Sequence, residues 1–202
     1  EESFSPGDFR SQLVSRIVKE IDRSNELLKK FFNFAKPRKP KQEFQNIEMI
    51  IDGVYLLLAS RLRKKNILFK TDFADSIPQV YIDSSQIEQV ILNVFLNAVE
   101  AIIKGGEIHV KISIAQKIKL KEDSAQSDSV CIEVSDDGVG IPEERLEKVF
   151  NPFFTTKSDG VGLGLSISSR LLEENGGKIE LESQENEGTI FRIYLPIIEK
   201  TI

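Results

Sequence analysis

Val90-Ile91-Leu92-Asn93-Val94-Phe95-Leu96-Asn97-Ala98-Val99 is an apolar helical run interrupted by two amides four residues apart. Residues at i and i+4 share one face of a helix. An amide on such a face gives up apolar burial and needs a partner. Asn93 and Asn97 therefore point to a polar ligand beside an otherwise buried helix. Taken with two glycine-rich loops further along, they point to a nucleotide site.

The surroundings of this helix read as mixed α and β structure. Asp83 stands at its N-cap, with Gln86 completing a capping box, and Gly105-Gly106 reads as its stop. Upstream, Glu43 to Lys65 reads as a helix burying Ile47, Ile50, Ile51, Val54, Leu57 and Leu58, and Ile67–Phe73 and Val80–Ile82 read as strands. Downstream, Ile108, Val110, Ile112 and Ile114 alternate with His109, Lys111 and Ser113, the pattern of a half-buried strand. Lys117 to Asp128 is polar and reads as a mobile loop. Val130–Ser135 is a strand, with Cys131 a structural residue since no basic neighbour would lower its pKa. Pro142–Val149 is a short helix and Leu163–Asn175 a longer one. Lys178–Ser183 and Thr189–Leu195 form a closing hairpin turned at Glu187-Gly188. No internal repeat is visible. This order predicts an α+β fold, a two-layer α/β sandwich with a mixed sheet covered by helices on one face.

The N-terminal stretch reads differently. Ser5-Pro6-Gly7-Asp8 is a helix start, and Val14, Ile21, Leu28 and Ala35 recur every seven residues, with Ile17 and Phe31 on the same stripe. A seven-residue apolar repeat suits a long bundle helix, which needs a partner helix to cover it. Lys36-Pro37-Arg38-Lys39-Pro40 then makes a stiff linker. The expected organisation is a bundle helix over 1–36, a linker over 37–43 and a second domain over 44–202.

Bulk composition narrows the function. The 202 residues are 40% hydrophobic and 29% charged, with a net charge of −5, so no field favours nucleic acid. One cysteine rules out a disulfide framework and makes an intracellular setting the default. No apolar run spans a bilayer. The chain opens on Glu1-Glu2 without a methionine, so it reads as a fragment, and a membrane segment would lie outside it.

Asp136-Asp137-Gly138-Val139-Gly140-Ile141 follows directly on a strand. Alternate glycines let backbone approach a flat ligand, and an ionised Asp accepts a hydrogen bond from an exocyclic amine such as that of adenine. Gly160-Val161-Gly162-Leu163-Gly164-Leu165 leads into a helix N-terminus, which offers N–H groups to phosphate. Neither the dinucleotide fingerprint nor a Walker A ending is present. Between these loops, Phe150-Asn151-Pro152-Phe153-Phe154-Thr155-Thr156-Lys157 could anchor a short lid with Lys157 facing phosphate, its phenylalanines reading chiefly as core packing.

The order N-x-x-x-N, D-x-G-x-G, F-x-x-F-F, G-x-G-x-G resembles the catalytic ATP-binding domain of bacterial sensor histidine kinases, in the superfamily shared with gyrase and MutL-type ATPases. The resemblance covers about Phe44 to Ile197, and Pro6 to Lys36 resembles the second helix of that family's dimerisation hairpin. It implies that Asn97 coordinates Mg²⁺ on the ATP phosphates, with Asn93 supporting phosphate or metal. It implies that Asp136 binds the adenine amine, that Gly138 and Gly140 line the base pocket, and that Gly160, Gly162 and Gly164 shape the lid. Ile141, Phe154, Thr155, Thr156, Val161, Leu163 and Thr189 would complete the ATP site, and Asn93 and Lys157 would serve the transfer chemistry.

In the ATP-hydrolysing relatives a glutamate stands four residues before the metal-binding Asn. Here that residue is Asn93, and an amide cannot be a general base. The resemblance thus implies transfer to an acceptor rather than to water. Glu88 and Glu100 read as surface charges. The family's phosphorylated histidine lies on the first hairpin helix. This chain has only His109, a solvent-facing strand residue, so no phosphoacceptor is expected in the chain. The partners implied are a response regulator receiver domain and, through the hairpin, a second copy of the full-length protein, on the cytoplasmic side of any membrane. The alternatives from the residues are a nucleotide-gated binding module and an ATPase.

Overall fold

Alternation of apolar residues in the C-terminal two-thirds builds a five-stranded mixed sheet. The computed structural model describes residues 12–18, 21, 39–120, 126–157 and 160–198. The strands are β2 (Ile67–Phe73), β4 (Gly106–Ile118), β5 (Ser127–Asp136), β6 (Lys178–Gln184) and β7 (Gly188–Pro196), in the spatial order β2-β4-β5-β7-β6. β2 runs parallel to β4 and every other pair is antiparallel. In register, Val110 faces Val134 and Ile112 faces Ile132, and Ile132 in turn faces Ile193. Alternate residues of these strands enter one core with helices α1 (Ile47–Lys65), α2 (Ser84–Ala101) and α4 (Gly164–Glu174). The helices thus cover one face of the sheet. The opposite face is polar, with Arg192 bridging Glu133 and Glu182 at 2.6 Å each. Cys131 is buried on that face beside Tyr194, and burial pushes its thiol up to about 11, as suits a structural residue.

Phe95 fills the centre of the core, stacking edge-on against Phe69 at 5.4 Å. α2 begins where Asp83 caps it, accepting the N–H groups of Ser85 and Gln86 at 3.0 and 3.1 Å. The other half of the expected capping box is supplied from elsewhere. The Asp83 N–H donates to Asn175 at the end of α4, whose amide also donates to Gln86.

Several local expectations change. Glu43–Gln45 is not the first turn of a helix but β1, paired with β3 (Val80–Ile82), and α1 starts only after the N-cap Asn46. Leu57 is 62% exposed while Leu62 is buried, because the core-facing stripe of α1 runs Ile47, Ile51, Val54, Leu58, Leu62. α2 stops at Ala101 rather than at the glycines: the Lys65 ammonium donates to the carbonyls of Val99 and Ile102, satisfying the helix end from a neighbouring helix. Finally, β4 runs on to Ile118, so Lys117 belongs to a strand, with a bulge after Ala115 and its N–H on the Asp128 carboxylate; Ile114 near that end is exposed. The centre of the expected loop, 121–125, lies outside the described residues. The short helix, α3 (Glu143–Leu146), is trimmed at its C-terminal end.

The chain divides into two units, Glu1–Arg38 and Lys39–Ile202. In the first, residues 12–18 are helical; Leu28, Phe31 and Ala35 of the seven-residue stripe, and the proposed cap at Ser5, lie outside the described residues. Among the described residues no helix is long and apolar enough to cross a membrane.

Candidate nucleotide site

Asp136 ends β5 between Ile108 of β4 and Thr189 of β7. It is 8% exposed. Burial pushes its carboxyl up to about 6, partly offset by the N–H of Gly138, which donates to Oδ1 at 3.0 Å; the Asp137 charge adds to the rise. One oxygen is thus committed and the other remains able to accept from a ligand N–H, the match an exocyclic amine requires. A side chain at Gly138 would strike Ala101 at the end of α2. Gly140 has φ +65° and lies against the backbone carbonyl of Gln184. The loop is pinned from both sides. Val139 N–H donates to Ala101 O at 3.1 Å, Asn186 N–H donates to Val139 O at 2.8 Å, and Ile141 N–H donates to Ser183 Oγ at 2.8 Å. Ser183 also meets the buried Thr189 hydroxyl at 3.0 Å.

The amide pair stands one and two turns back along α2, roughly 12 Å from Ala101 to Asn93 by helical rise. Asn93 Nδ2 donates to Ser168 Oγ of α4 at 3.0 Å, and its carbonyl oxygen faces Gly164 so closely that a side chain there would collide with it. Gly164 opens α4, and Leu163 before it is buried and provides no side-chain cap. The first-turn N–H groups therefore lack intrahelical partners at the positive end of the helix dipole. Gly162, at φ +69°, accepts the N–H of Phe153 at 2.8 Å, and Val161 beside it is half-buried.

The phenylalanine segment departs from the expected core packing. Phe153 is 58% exposed, and Phe150 and Phe154 are only half-buried. The cause is backbone geometry: Phe153 sits at φ +68°, in a turn closed on Gly162. Lys157 Nζ donates to Asn97 Oδ1 at 2.9 Å and pairs with Glu100; Glu100 and Glu88 are both exposed, as the sequence implies. Lys157 N–H donates to Thr155 Oγ1 at 3.1 Å, and Gly160 N–H donates to Lys157 O at 3.2 Å. Thr155, Thr156 and Gly160 are exposed along this stretch.

Three groups thus form: Asp136, Gly138, Gly140, Ile141 and Thr189 at the sheet end; Asn93 with Gly164; and Asn97 with Lys157. Among the described residues no three His, Cys, Asp or Glu side chains form a metal cage. A metal here would rely on few protein oxygens plus those of a ligand, as Mg²⁺ does on nucleotides. Asn97 Oδ1 suits that task, since it already accepts from a cation. Ser168 and Ser183 escaped the sequence reading; only Ser168 carried a signal, lying one turn from Gly164 on the same helix. His109 is half-buried in β4, its carbonyl accepting from Ser135 at 3.4 Å.

Residues 82–199 match the family described as histidine kinase-, DNA gyrase B-, and HSP90-like ATPase. The chain belongs to that family. Sporulation kinase E of Bacillus subtilis (strain 168) is 34% identical over 181 residues, 90% of this chain and 23% of that protein. The chain therefore spans under a quarter of that relative's length. The catalytic domain of histidine kinase ThkA superposes with a TM-score of 0.66 at 36% identity, over 77% of this chain and 95% of that one. ThkA in complex with the response regulator TrrA gives a TM-score of 0.73 at 29% identity, over 96% and 53%. All the boxes from Asn93 to Gly164 lie inside the ATPase match.

Proposed function

We propose that this chain binds Mg²⁺-ATP and donates the γ-phosphoryl group to a histidine other than His109, for onward transfer to a response regulator aspartate. The observation that carries the reading is Asn93. It stands against the glycine loop with its amide fixed on Ser168, and an amide cannot deprotonate water. ATP supplies the phosphoryl donor, and Mg²⁺ neutralises its charge. The chain's own residues bind and orient. Asp136 accepts the adenine amine, and Gly138, Gly140, Ile141 and Thr189 shape the base pocket. Asn97 offers its oxygen to the metal. Asn93, Lys157 and the backbone from Gly160 to Gly164 hold the phosphates, with Phe154, Thr155, Thr156, Val161 and Leu163 completing the wall.

The named relatives support the same reading: one is called a kinase, and ThkA is seen with a response regulator. We further propose that 1–36 is the second helix of a dimerisation hairpin, joined by a linker over 37–43 to the ATP-binding domain at 44–202, and that the domain works in the cytoplasm. A separately supplied hairpin bearing a histidine, mixed with this chain and γ-labelled ATP, tests the transfer. Label on that histidine is expected. ATP binding without transfer, or steady phosphate release without an acceptor, would overturn it. Asn97→Ala should abolish the Mg²⁺ dependence of ATP binding in calorimetric titrations; a retained dependence would refute the metal role.

A further inference from the structure

Asn97 is a neutral amide, which makes it a weak metal ligand by itself. Mg²⁺ bound to nucleotide phosphates ordinarily has one or two protein carboxylates as well. Among the described residues no cluster of three or more His, Cys, Asp or Glu side chains provides them. One carboxylate nevertheless converges on the same point as the Asn97 oxygen. Glu100 lies three residues further along α2, and residues i and i+3 share a helix face. Both side chains meet a single cation, the Lys157 ammonium: Nζ donates to Asn97 Oδ1 at 2.9 Å and pairs with Glu100 Oε2. Lys157 is anchored on a separate segment, 60 residues along the chain from Asn97. Its ammonium therefore marks a cation position defined by two oxygens of α2.

We infer that Glu100 is the carboxylate of the metal subsite, paired with the Asn97 oxygen directly or through a metal-bound water, and that Lys157 is the tethered cation that yields this position. The inference rests on the Mg²⁺-ATP reading. It also gives the proposed phosphate role of Lys157 a reason. Once a divalent cation takes the two α2 oxygens, the ammonium is released from Asn97 and is free to turn to phosphate. An ammonium is then replaced by a dication beside a carboxylate and a polyphosphate, which balances charge better than either cation would on its own.

The test uses Mn²⁺ as the probe, with a non-hydrolysable ATP analogue, and follows free Mn²⁺ by its electron paramagnetic resonance signal. Glu100→Gln should weaken Mn²⁺ in the ternary complex by about tenfold or more. Its affinity for the analogue in EDTA should stay within about twofold of the unsubstituted chain, which also reports that the variant is folded. Glu88→Gln, another exposed carboxylate of the same helix, should leave both values unchanged. Glu100→Gln binding Mn²⁺ as tightly as the unsubstituted chain would remove Glu100 from the metal subsite and leave the ATP reading standing. An unsubstituted chain that binds no analogue at all would sink the ATP reading itself.

Discussion

Gly140 and Gly164 both belong to the proposed nucleotide site, yet a side chain added at each would meet different matter. At Gly140 the obstacle is backbone, the carbonyl of Gln184 at the end of β6, and φ there is +65°. At Gly164 it is the amide tip of Asn93, a side chain. The contrast extends along the whole site. The base end is held chiefly through its own main chain, bonded to the main chain of α2 and of the β6–β7 turn and to the Ser183 hydroxyl of β6. The phosphate end is held mainly by side chains: Asn93 on Ser168, Lys157 on Asn97 and Glu100. A pocket for an invariant base can be part of the sheet. A region that must admit a metal and release a phosphoryl group is better served by contacts that side-chain rotation can undo.

The strongest way to break this comparison is to add a methyl group at each end. Gly140→Ala should lose roughly 3 kcal/mol of stability, from left-handed strain plus a backbone collision. Gly164→Ala should lose under about 1 kcal/mol, since Asn93 can give way, and should weaken ATP binding instead. Urea unfolding measures the first and nucleotide titration the second. Equal stability losses would show that the two ends are alike.

Asp136 sharpens the comparison through pH. Its folded carboxyl, pushed to about 6 by burial, sits above the ordinary 3.8, so folding disfavours the ionised form. The resulting instability, of order 2–3 kcal/mol, is fully present above pH 6 and disappears as pH falls through 6 toward 3.8. Adenine recognition runs the other way, because the ionised oxygen is the better acceptor and affinity falls as pH drops below about 6. Asp136→Asn should therefore be more stable than the parent at pH 7 and should flatten both profiles in melts and titrations. Asp136→Ala should cost about 1.5–3 kcal/mol of nucleotide binding. Undiminished affinity in that variant would dismantle the assigned base pocket.

The same division governs what the sequence disclosed. Asp136-Asp137-Gly138 and Gly162-Leu163-Gly164 were readable because glycine spacing and strand or helix ends are local properties. The α2 stripe was readable because its period is local too. Glu43–Gln45 was misread as helix because its strand character comes from pairing with Val80–Ile82, far along the chain. The glycine stop of α2 was misplaced because Lys65, on another helix, satisfies the last carbonyls. The pairing of the exposed Glu100 leaves no local sign because its partner Lys157 lies 57 residues away. Contacts made by long side chains between distant segments leave no periodic trace, and the phosphate end is made of them.

Ser168 offers the finest cut. Its hydroxyl accepts from Asn93 Nδ2 and so decides which end of that amide faces the glycine loop. Ser168→Ala removes one hydrogen bond at a buried position and should cost about 1 kcal/mol of stability. With the amide free to flip, its NH₂ and its oxygen compete for the face presented to Gly164, and Mg²⁺-ATP binding, in which that oxygen can serve as an acceptor for the metal or its water, should lose a few-fold in affinity. Base binding should not change. Adenosine, which has the base and no phosphates, should therefore bind Ser168→Ala and the parent equally, while ATP should distinguish them. If adenosine affinity fell along with that of ATP, the α2–α4 contact would be shaping the base pocket as well, and the two ends could no longer be treated as separately built.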